Sequence, residues 1–453
     1  MKHLNQNIRV AIDEDNPSIA RIENKCIQCG QCARVCNEFV SVNNHYSLED
    51  TNGKSICVNC GQCIKACPVD SLVVKQEYQT LKDIIKQGDK VVIVSTSPSV
   101  RVGLGEEFGM PFGSFVQGKM VALLRKLGFN YVLDTNFAAD LTICEEAAEL
   151  IDRIKNNKIL PQFTSCCPAW IKFAETFYPE ILDNISSCKS PIGMQGPVIK
   201  TYFAKKMGID PKRIVNVALT PCVAKKFEIR RKEMNISAKI NNDENMRDMD
   251  YVITTTELAQ WAKELNIDFN SLDEMNFDNL LGEASGAGVI FGNSGGVMEA
   301  AVRTAYSYLT GKKPSELFFN LQPVRSYESI KEAEVEIAGI KLKVAVVYGL
   351  ANVRILLDRI KNGEKYHFVE VMTCPGGCIG GGGQPKHLYE DEKAQKERIK
   401  SLYARDSSMK LRLSHENPEI IALYKDYLIK PRSDRAIELL HTIYLDRSKD
   451  LRG

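Results

Sequence analysis

Glu370-Val-Met-Thr-Cys374-Pro-Gly-Gly-Cys378-Ile-Gly380-Gly-Gly-Gly383 sets two cysteines four positions apart among six glycines. Glycine gives up more backbone entropy than any other residue inside a helix or strand, so this run is a loop. The apolar, β-branched stretch His367-Phe-Val-Glu-Val-Met372 ahead of it has the composition of a short strand that delivers the loop at its carboxyl end. Two thiolates on a loop whose backbone N–H groups can approach closely suit a negatively charged inorganic cluster. Two ligands are too few for a cubane, so the others lie elsewhere in the chain.

Outward from this loop, strand and helix patterns alternate. Val91-Val-Ile-Val94, Tyr131-Val-Leu133, Ile214-Val-Asn-Val-Ala218, Val252-Ile-Thr254 and Val344-Ala-Val-Val347 read as strands. Lys119 to Leu127, Leu141 to Ile154 and Val297 to Leu309 have helical spacing. The alternation predicts an α/β domain of largely parallel sheets covered by helices. In such sheets ligands gather at the carboxyl ends of strands.

Seven cysteines bear on that crevice: Cys144, Cys166, Cys167, Cys188, Cys222, Cys374 and Cys378. Three neighbourhoods share one plan, an extended segment running into a loop with Cys beside Pro. They are Phe163-Thr-Ser-Cys166-Cys167-Pro168, the strand from Ile214 followed by Leu219-Thr220-Pro221-Cys222, and Thr373-Cys374-Pro375. Cys167, Cys222, Cys374 and Cys378 then make a four-thiolate site. Cys144 and Cys188 sit in segments of different character and read as buried structural thiols.

The remaining eight cysteines form Cys26-x2-Cys29-x2-Cys32-x3-Cys36 and Cys57-x2-Cys60-x2-Cys63-x3-Cys67-Pro68, one spacing used twice. It matches the bacterial two-cluster ferredoxin pattern, in which the fourth cysteine of each run crosses to the other cluster. One 4Fe-4S cluster then takes Cys26, Cys29, Cys32 and Cys67, and the other Cys57, Cys60, Cys63 and Cys36. Asn37 stands where the first run's pattern has proline. Zinc sites also use C-x2-C pairs, but the double register, with Gly30 and Gly61 placed to turn the backbone, favours clusters. Residues 1–80 are expected to form an α+β ferredoxin-like domain, with one possible strand at Ile8 to Ile12, and 81–453 the α/β domain.

Charge is balanced in the 453 residues, with Lys plus Arg 59 and Asp plus Glu 57, which speaks for neither nucleic acid nor an acidic tail. The first residues lack a basic-then-apolar signal, and nowhere do ~18 apolar residues run together, so a soluble cytoplasmic protein is expected, with no membrane partner. Fifteen cysteines in such a chain point to metal rather than disulfides. The glycine-rich stretches Gly282–Gly288 and Gly292–Gly296 lack the frame of a nucleotide loop and read as close-packed backbone. Phe227 to Asp248 reads as an exposed polar excursion. Helical patterns near Glu390 to Leu402, Asn417 to Leu428 and Asp434 to Leu445 close the chain, their charges expected on solvated faces.

Thr164-Ser-Cys-Cys-Pro-Ala-Trp170, Thr220-Pro-Cys-Val-Ala-Lys-Lys-Phe-Glu228 and Glu370 to Gly382 together resemble the three signature motifs of the iron-only (FeFe) hydrogenases. Ser97-Pro98-Ser99-Val-Arg101, Gly295 to Ala300 and Ser414 to Asn417 are similar to that family as well, so the likeness spans essentially the whole chain. It implies two mostly parallel sheet lobes around an H-cluster, a 4Fe-4S cubane joined to a di-iron unit bearing CO, cyanide and a bridging azadithiolate. By motif, Cys167, Cys222, Cys374 and Cys378 hold the cubane, and Cys378 bridges to the di-iron unit.

The resemblance implies reversible reduction of protons to H2, with ferredoxin or flavodoxin as electron partner and maturation proteins supplying the di-iron unit. Lys225 is a compact cation suited to a cyanide, and Ser97, Pro98, Ser99, Thr220 and Met372 are expected around the cofactor. Protons are expected to pass through Cys166, a thiol with an ordinary pKa near ~8.5, and through Glu146 and Glu149, and the resemblance implies Ser186 and, at the outer end, Arg153 as further members of the route. Glu146 and Glu149 stand three apart on one helical face. Most catalytic members carry methionine at the position of Thr220; a hydroxyl there resembles the group B branch. Without the extra N-terminal 2Fe-2S module of longer relatives, the chain reads as a compact two-cluster form. An H2 sensor with slow turnover and a non-enzymatic iron–sulfur assembly protein are the alternatives.

Overall fold

The structure is a computed structural model that describes residues 8–452. In chain order its strands are β1 (Ile19–Arg21), β2 (Leu72–Val74), β3 (Val91–Thr96), β4 (Tyr131–Asp134), β5 (Gln162–Phe163), β6 (Ile214–Thr220), β7 (Tyr251–Thr254), β8 (Ile330–Ile337), β9 (Ile340–Tyr348) and β10 (Phe368–Met372). They make two four-stranded sheets, ordered β4-β3-β6-β7 and β5-β10-β9-β8, and an antiparallel pair, β1-β2. The first sheet is wholly parallel, and the second is parallel apart from the β8–β9 hairpin. That is the expected α/β architecture of two mostly parallel lobes.

Burial explains the strand types. Every residue of β6 and β10 is buried, as befits parallel strands covered on both faces. β8, Ile-Lys-Glu-Ala-Glu-Val-Glu-Ile, alternates buried and exposed along the sheet edge. That alternation is legible in the sequence and was not among the expected strands. Helix Thr135–Lys155 begins six residues before the expected Leu141, because the Asp134 carboxylate at the end of β4 accepts the Asn136 N–H and caps it at once. Ala139, Ile143, Ala147 and Leu150 go to the core beside the second sheet, Phe137, Ala138, Leu141 and Cys144 to the core beside the first.

The N-terminal module departs from expectation in detail. Residues 8–12 form no strand; Val10 instead packs with Ile19, Cys63, Cys67 and Leu72 in a small core, while β1 takes β2 as its partner. Gly30 and Gly61 start helices Gln31–Glu38 and Gln62–Ala66 at φ 80° and 75°, the left-handed region that glycine enters without strain. Each turns the chain between the second and third cysteine of its run. Helix Tyr78–Gln87 crosses the expected boundary at residue 80 and buries Tyr78 and Leu81 in the core of the first sheet.

Two other expectations need correction. The segment from Phe227 to Asp248 is not an exposed excursion: it holds helix Ile236–Ile240 and buries Met234, Ser237, Met246 and Asp248. Its charges find partners, Arg231 on Glu175 at 2.6 Å and Asp248 on the Ser237 N–H at 2.7 Å. In the closing helices, Asp391–Ser408 buries Arg398 and Asp406 completely instead of solvating them, and the last α-helix ends at Leu440. The glycine-rich stretches are close-packed backbone, as expected: a Cβ at Gly288 meets the Asn136 carbonyl at 2.5 Å, and one at Gly296 the Ile290 carbonyl at 1.8 Å. Among the described residues no helix is long and apolar enough to cross a membrane.

The module and the larger domain meet backbone to backbone. A Cβ on Gly382 comes within 2.7 Å of the Gly61 Cα and 2.8 Å of the Cys60 carbonyl. Gln62 donates to the Gly380 carbonyl at 3.1 Å and Lys386 to the Cys67 carbonyl at 2.7 Å, so both partners are cysteine-bearing loops. Since no flexible side chain is there to yield, Gly382→Ala is expected to cost about 1–3 kcal/mol, read as a lowered midpoint of anaerobic thermal unfolding. An unchanged midpoint means that the two loops do not touch as described.

Candidate functional site

The carboxyl ends of four strands converge. β3 runs into Ser97-Pro98-Ser99, β5 into Thr164 to Cys167, β6 into Pro221-Cys222 and β10 into Thr373-Cys374. Parallel pairing places these ends on one side of each sheet, which is why loops far apart in sequence meet. The cavity they enclose is lined by Cys166, Cys167, Cys222, Cys374 and Cys378, together with Ser97, Pro98, Ser99, Thr220, Lys225 and Met372. Every residue expected beside the cofactor is at this wall. Ala139, Ile192 and Phe291 make the rest of it largely apolar.

Burial raises the Cys222 thiol to about 12, with Cys167 the next cause. Burial likewise raises Cys374 and Cys378, again followed by Cys222 and Cys167. Four thiols gathered in a dry pocket are suited to a bound cationic core, and the donor set is that of a cubane. Thr373 Oγ1 lies 3.3 Å from Cys167 Sγ, a side-chain contact inside the set.

The opposite wall is polar at two points. Lys225 donates to the Cys166 carbonyl at 3.0 Å and to Glu228 at 2.8 Å, and Ser190 donates to the same Glu228 oxygen at 2.9 Å. Burial works against the Lys225 ammonium, but Glu228 and Cys222 outweigh it and hold its pKa above the ordinary lysine value. The second point is Ser99, whose buried Oγ has no hydrogen-bond partner. A Cβ at Gly292 would strike that oxygen at 2.5 Å, and one at Gly377 would strike the Ser294 nitrogen at 2.4 Å, so these glycines set how near the loops come. An orphaned hydroxyl, a fixed cation and four thiols around one cavity fit a di-iron unit with anionic diatomic ligands.

Thr220 is at the wall, but its oxygen accepts the Cys222 N–H at 3.3 Å, so it also steadies a ligand loop. Of the glycines after Cys378, Gly381 lines the cavity. Gly382 serves the contact with the N-terminal module instead, and Gly381 and Gly383 lie against the Pro221 carbonyl.

The expected proton groups do not line the cavity beyond Cys166; they lead away from it. Glu146 is among the groups that raise the Cys166 thiol, after burial. Burial, then Glu149, raises Glu146 well above the usual carboxylate range, and its Oε1 has no partner. Burial presses on Glu149 too, but Arg153 at 2.7 Å and Ser186 at 2.8 Å outweigh it and hold the carboxyl low. A carboxyl raised above the usual range thus stands beside one held below it, with Ser186 in reach of both and Arg153 on Glu149.

In the N-terminal module Cys26, Cys29, Cys32 and Cys67 line one small cavity, and Cys36, Cys57, Cys60 and Cys63 another. The fourth cysteine of each run does cross over. Cys29 is exposed with Ile27 beside it, while Cys60 is buried, and burial raises its thiol, with Cys167 among the neighbouring groups that add to the rise. Sequence reasoning missed several supporting residues. Glu228, three after Lys225, had an i,i+3 signal. Glu370, a lone acid in a buried strand, accepts the Gly295 and Met298 N–H groups at 2.7 Å each. Gln384 donates to the Ser99 carbonyl at 2.8 Å from 285 residues away and left no local signal.

A family model described as iron only hydrogenase large subunit, C-terminal domain, matches residues 90–382. Models for an iron hydrogenase small subunit and a 4Fe-4S binding domain match 392–447 and 54–73. The NADP-reducing hydrogenase subunit HndD of Solidesulfovibrio fructosivorans is 44% identical over 450 residues, 95% of this chain and 75% of that protein. A variant of the FeFe-hydrogenase HydA1 from Chlamydomonas reinhardtii superposes with a TM-score of 0.72 at 39% identity, over 82% of this chain and 98% of the other. The cytosolic Fe-S cluster assembly factor narfl of Xenopus tropicalis stands further off, 33% identical over 390 residues, 82% of this chain and 79% of it.

Proposed function

The chain belongs to the iron-only (FeFe) hydrogenase family, and on that premise we propose that it catalyses 2 H⁺ + 2 e⁻ ⇌ H2 at the strand-end cavity. The observation that carries this reading is the convergence of Cys167, Cys222, Cys374 and Cys378 with Lys225 and Cys166 around one buried cavity. The four cysteines would hold a cubane, with Cys378 as the joint to a di-iron unit. When bound, that cofactor supplies an open iron position and a bridging amine at which H2 is made or split.

The chain's own residues do the rest. Lys225, kept charged by Glu228, would meet one cyanide of that unit, and the unpartnered Ser99 hydroxyl would donate to another. The apolar wall of Ala139, Ile192 and Phe291 excludes water. Cys166 takes a proton from or gives it to the cavity, Glu146 carries it, and Ser186 passes it to Glu149. Arg153 keeps Glu149 ionised, so a proton arriving there is not trapped.

The two cysteine sets of the N-terminal module would hold two 4Fe-4S clusters able to relay electrons from a small carrier of ferredoxin or flavodoxin type at the exposed Cys29 end to the buried Cys60 end near Cys167. An assembly protein without a di-iron unit has no use for a buried Lys225 or for the carboxyls behind Cys166. Infrared spectra of the protein after maturation are expected to show CO and CN stretches, and a low-potential reductant to drive H2 evolution. A protein with full iron and neither bands nor H2 would sink the reading, and bands with negligible turnover would shift it to a sensor.

A further inference from the structure

Glu149, Cys188 and His441 come from three separate segments and meet in a buried cluster where one ligand atom from each lies within 4.8 Å of the other two. Carboxylate oxygen, thiolate sulfur and imidazole nitrogen form the donor set of borderline divalent ions, zinc above all. Two independent features shape the cluster for such an ion. Nε2 of His441 lies 3.1 Å from Oε2 of the fully buried Glu145, and a carboxylate on that nitrogen fixes the tautomer whose Nδ1 is a ligand. Nδ1 now faces the Ser187 hydroxyl at 2.8 Å. Second, Cys188 and His441 are paired in an antiparallel bridge, flanked by Lys189 N–H to Leu440 O and Thr442 N–H to Ser187 O, both at 2.8 Å. The sulfur and the imidazole therefore project from a fixed backbone frame.

We propose that this cluster binds a zinc-class divalent cation through Glu149 Oε2, Cys188 Sγ and His441 Nδ1, and that the bound ion stops proton traffic through Glu149. Binding breaks the Cys188 S–H bond and forms a sulfur–metal bond; the proton leaves to solvent and no electron changes hands. The thiolate and carboxylate charges balance the dication, and a water or the Ser187 hydroxyl completes a tetrahedron. Oε1 of Glu149 stays with Arg153 at 2.7 Å. What the ion displaces is the Ser186 hydroxyl, now 2.8 Å from Oε2, which is the link from the inner carboxyl outward. Arg153, and Arg432 with Nη1 3.8 Å from Oε2, oppose any cation here. They select against hard ions such as magnesium, which gain nothing from sulfur or imidazole. The site stands on its own geometry, whereas the block rests on the proton route proposed above.

The test uses the cluster-loaded, matured protein titrated with zinc sulfate, with zinc K-edge X-ray absorption as the readout of binding. One zinc per chain is expected, with one sulfur at about 2.3 Å and nitrogen or oxygen at about 2.0–2.1 Å. Zinc is also expected to lower H2 turnover at least tenfold, reversibly on chelation. Cys188→Ala keeps the parent's turnover without zinc, loses the sulfur scatterer and needs at least about tenfold more zinc for the same inhibition; His441→Ala likewise weakens binding. A shell without sulfur, a four-sulfur shell from zinc that has displaced cluster iron, or unchanged zinc sensitivity in Cys188→Ala overturns the site. The expected shell with unaffected turnover overturns the block and, with it, the proton route through Glu149.

Discussion

Cys166→Ala is expected to lower H2 turnover by at least about 100-fold while the CO and CN infrared bands persist, because one positioned proton-transfer group is worth 10²–10⁴. The residue is next to a cluster ligand but outside the four-thiolate set, and its side chain reaches the cavity wall. Its carbonyl is fixed by Lys225 at 3.0 Å, so removal of Sγ leaves the backbone of the ligand loop anchored. Behind it is Glu146, the inner carboxyl with one orphaned oxygen, which is among the groups that raise the Cys166 thiol. Cys166→Ser separates proton transfer from packing: it preserves volume and a hydroxyl proton, but a hydroxyl is a far weaker acid, so turnover is expected to stay low. Near-parental turnover in Cys166→Ala, with bands intact, removes Cys166 from the route.

That such a site can be read from sequence at all follows from where its information is stored. Cluster ligands announce themselves locally: eight cysteines in one repeated spacing, and three strand-end loops with Cys beside Pro. Buried parallel strands such as β6 are equally plain, since both faces must be apolar. The polar framework is different. Arg231 pairs with Glu175, Arg303 with Asp406 and Gln384 with Ser99, each across more than 50 residues, and no local pattern separates these from solvated charges. Phe227 to Asp248 was misjudged for this reason. The Gly380–Gly383 run shows a related limit: its composition demanded a loop, but only the structure reveals that Gly382 meets Gly61 of the other module.

The same hidden framework carries the second large effect. Arg398, fully buried, donates to the Ile379 carbonyl at 2.7 Å and through Nε to Glu106 at 2.8 Å, so one guanidinium ties the loop beside Cys378 to the segment after β3. Arg398→Met removes the cation and leaves the Glu106 carboxylate buried with His387, at 2.7 Å, and a long bond from the Gly113 N–H, at 3.4 Å, for partners. Breaking a buried pair from one side costs about 3–5 kcal/mol, since the remaining charge is neither solvated nor matched. The unfolding midpoint is expected to fall accordingly, and iron at the third site to fall with it, as the Cys378 turn loses its anchor. Removing both charges is less harmful than removing one, so Glu106→Gln combined with Arg398→Met is expected to regain most of the stability but not the iron, because the Ile379 carbonyl is still released. Equal iron in parent and double variant would show that the Cys378 turn holds its shape without Arg398.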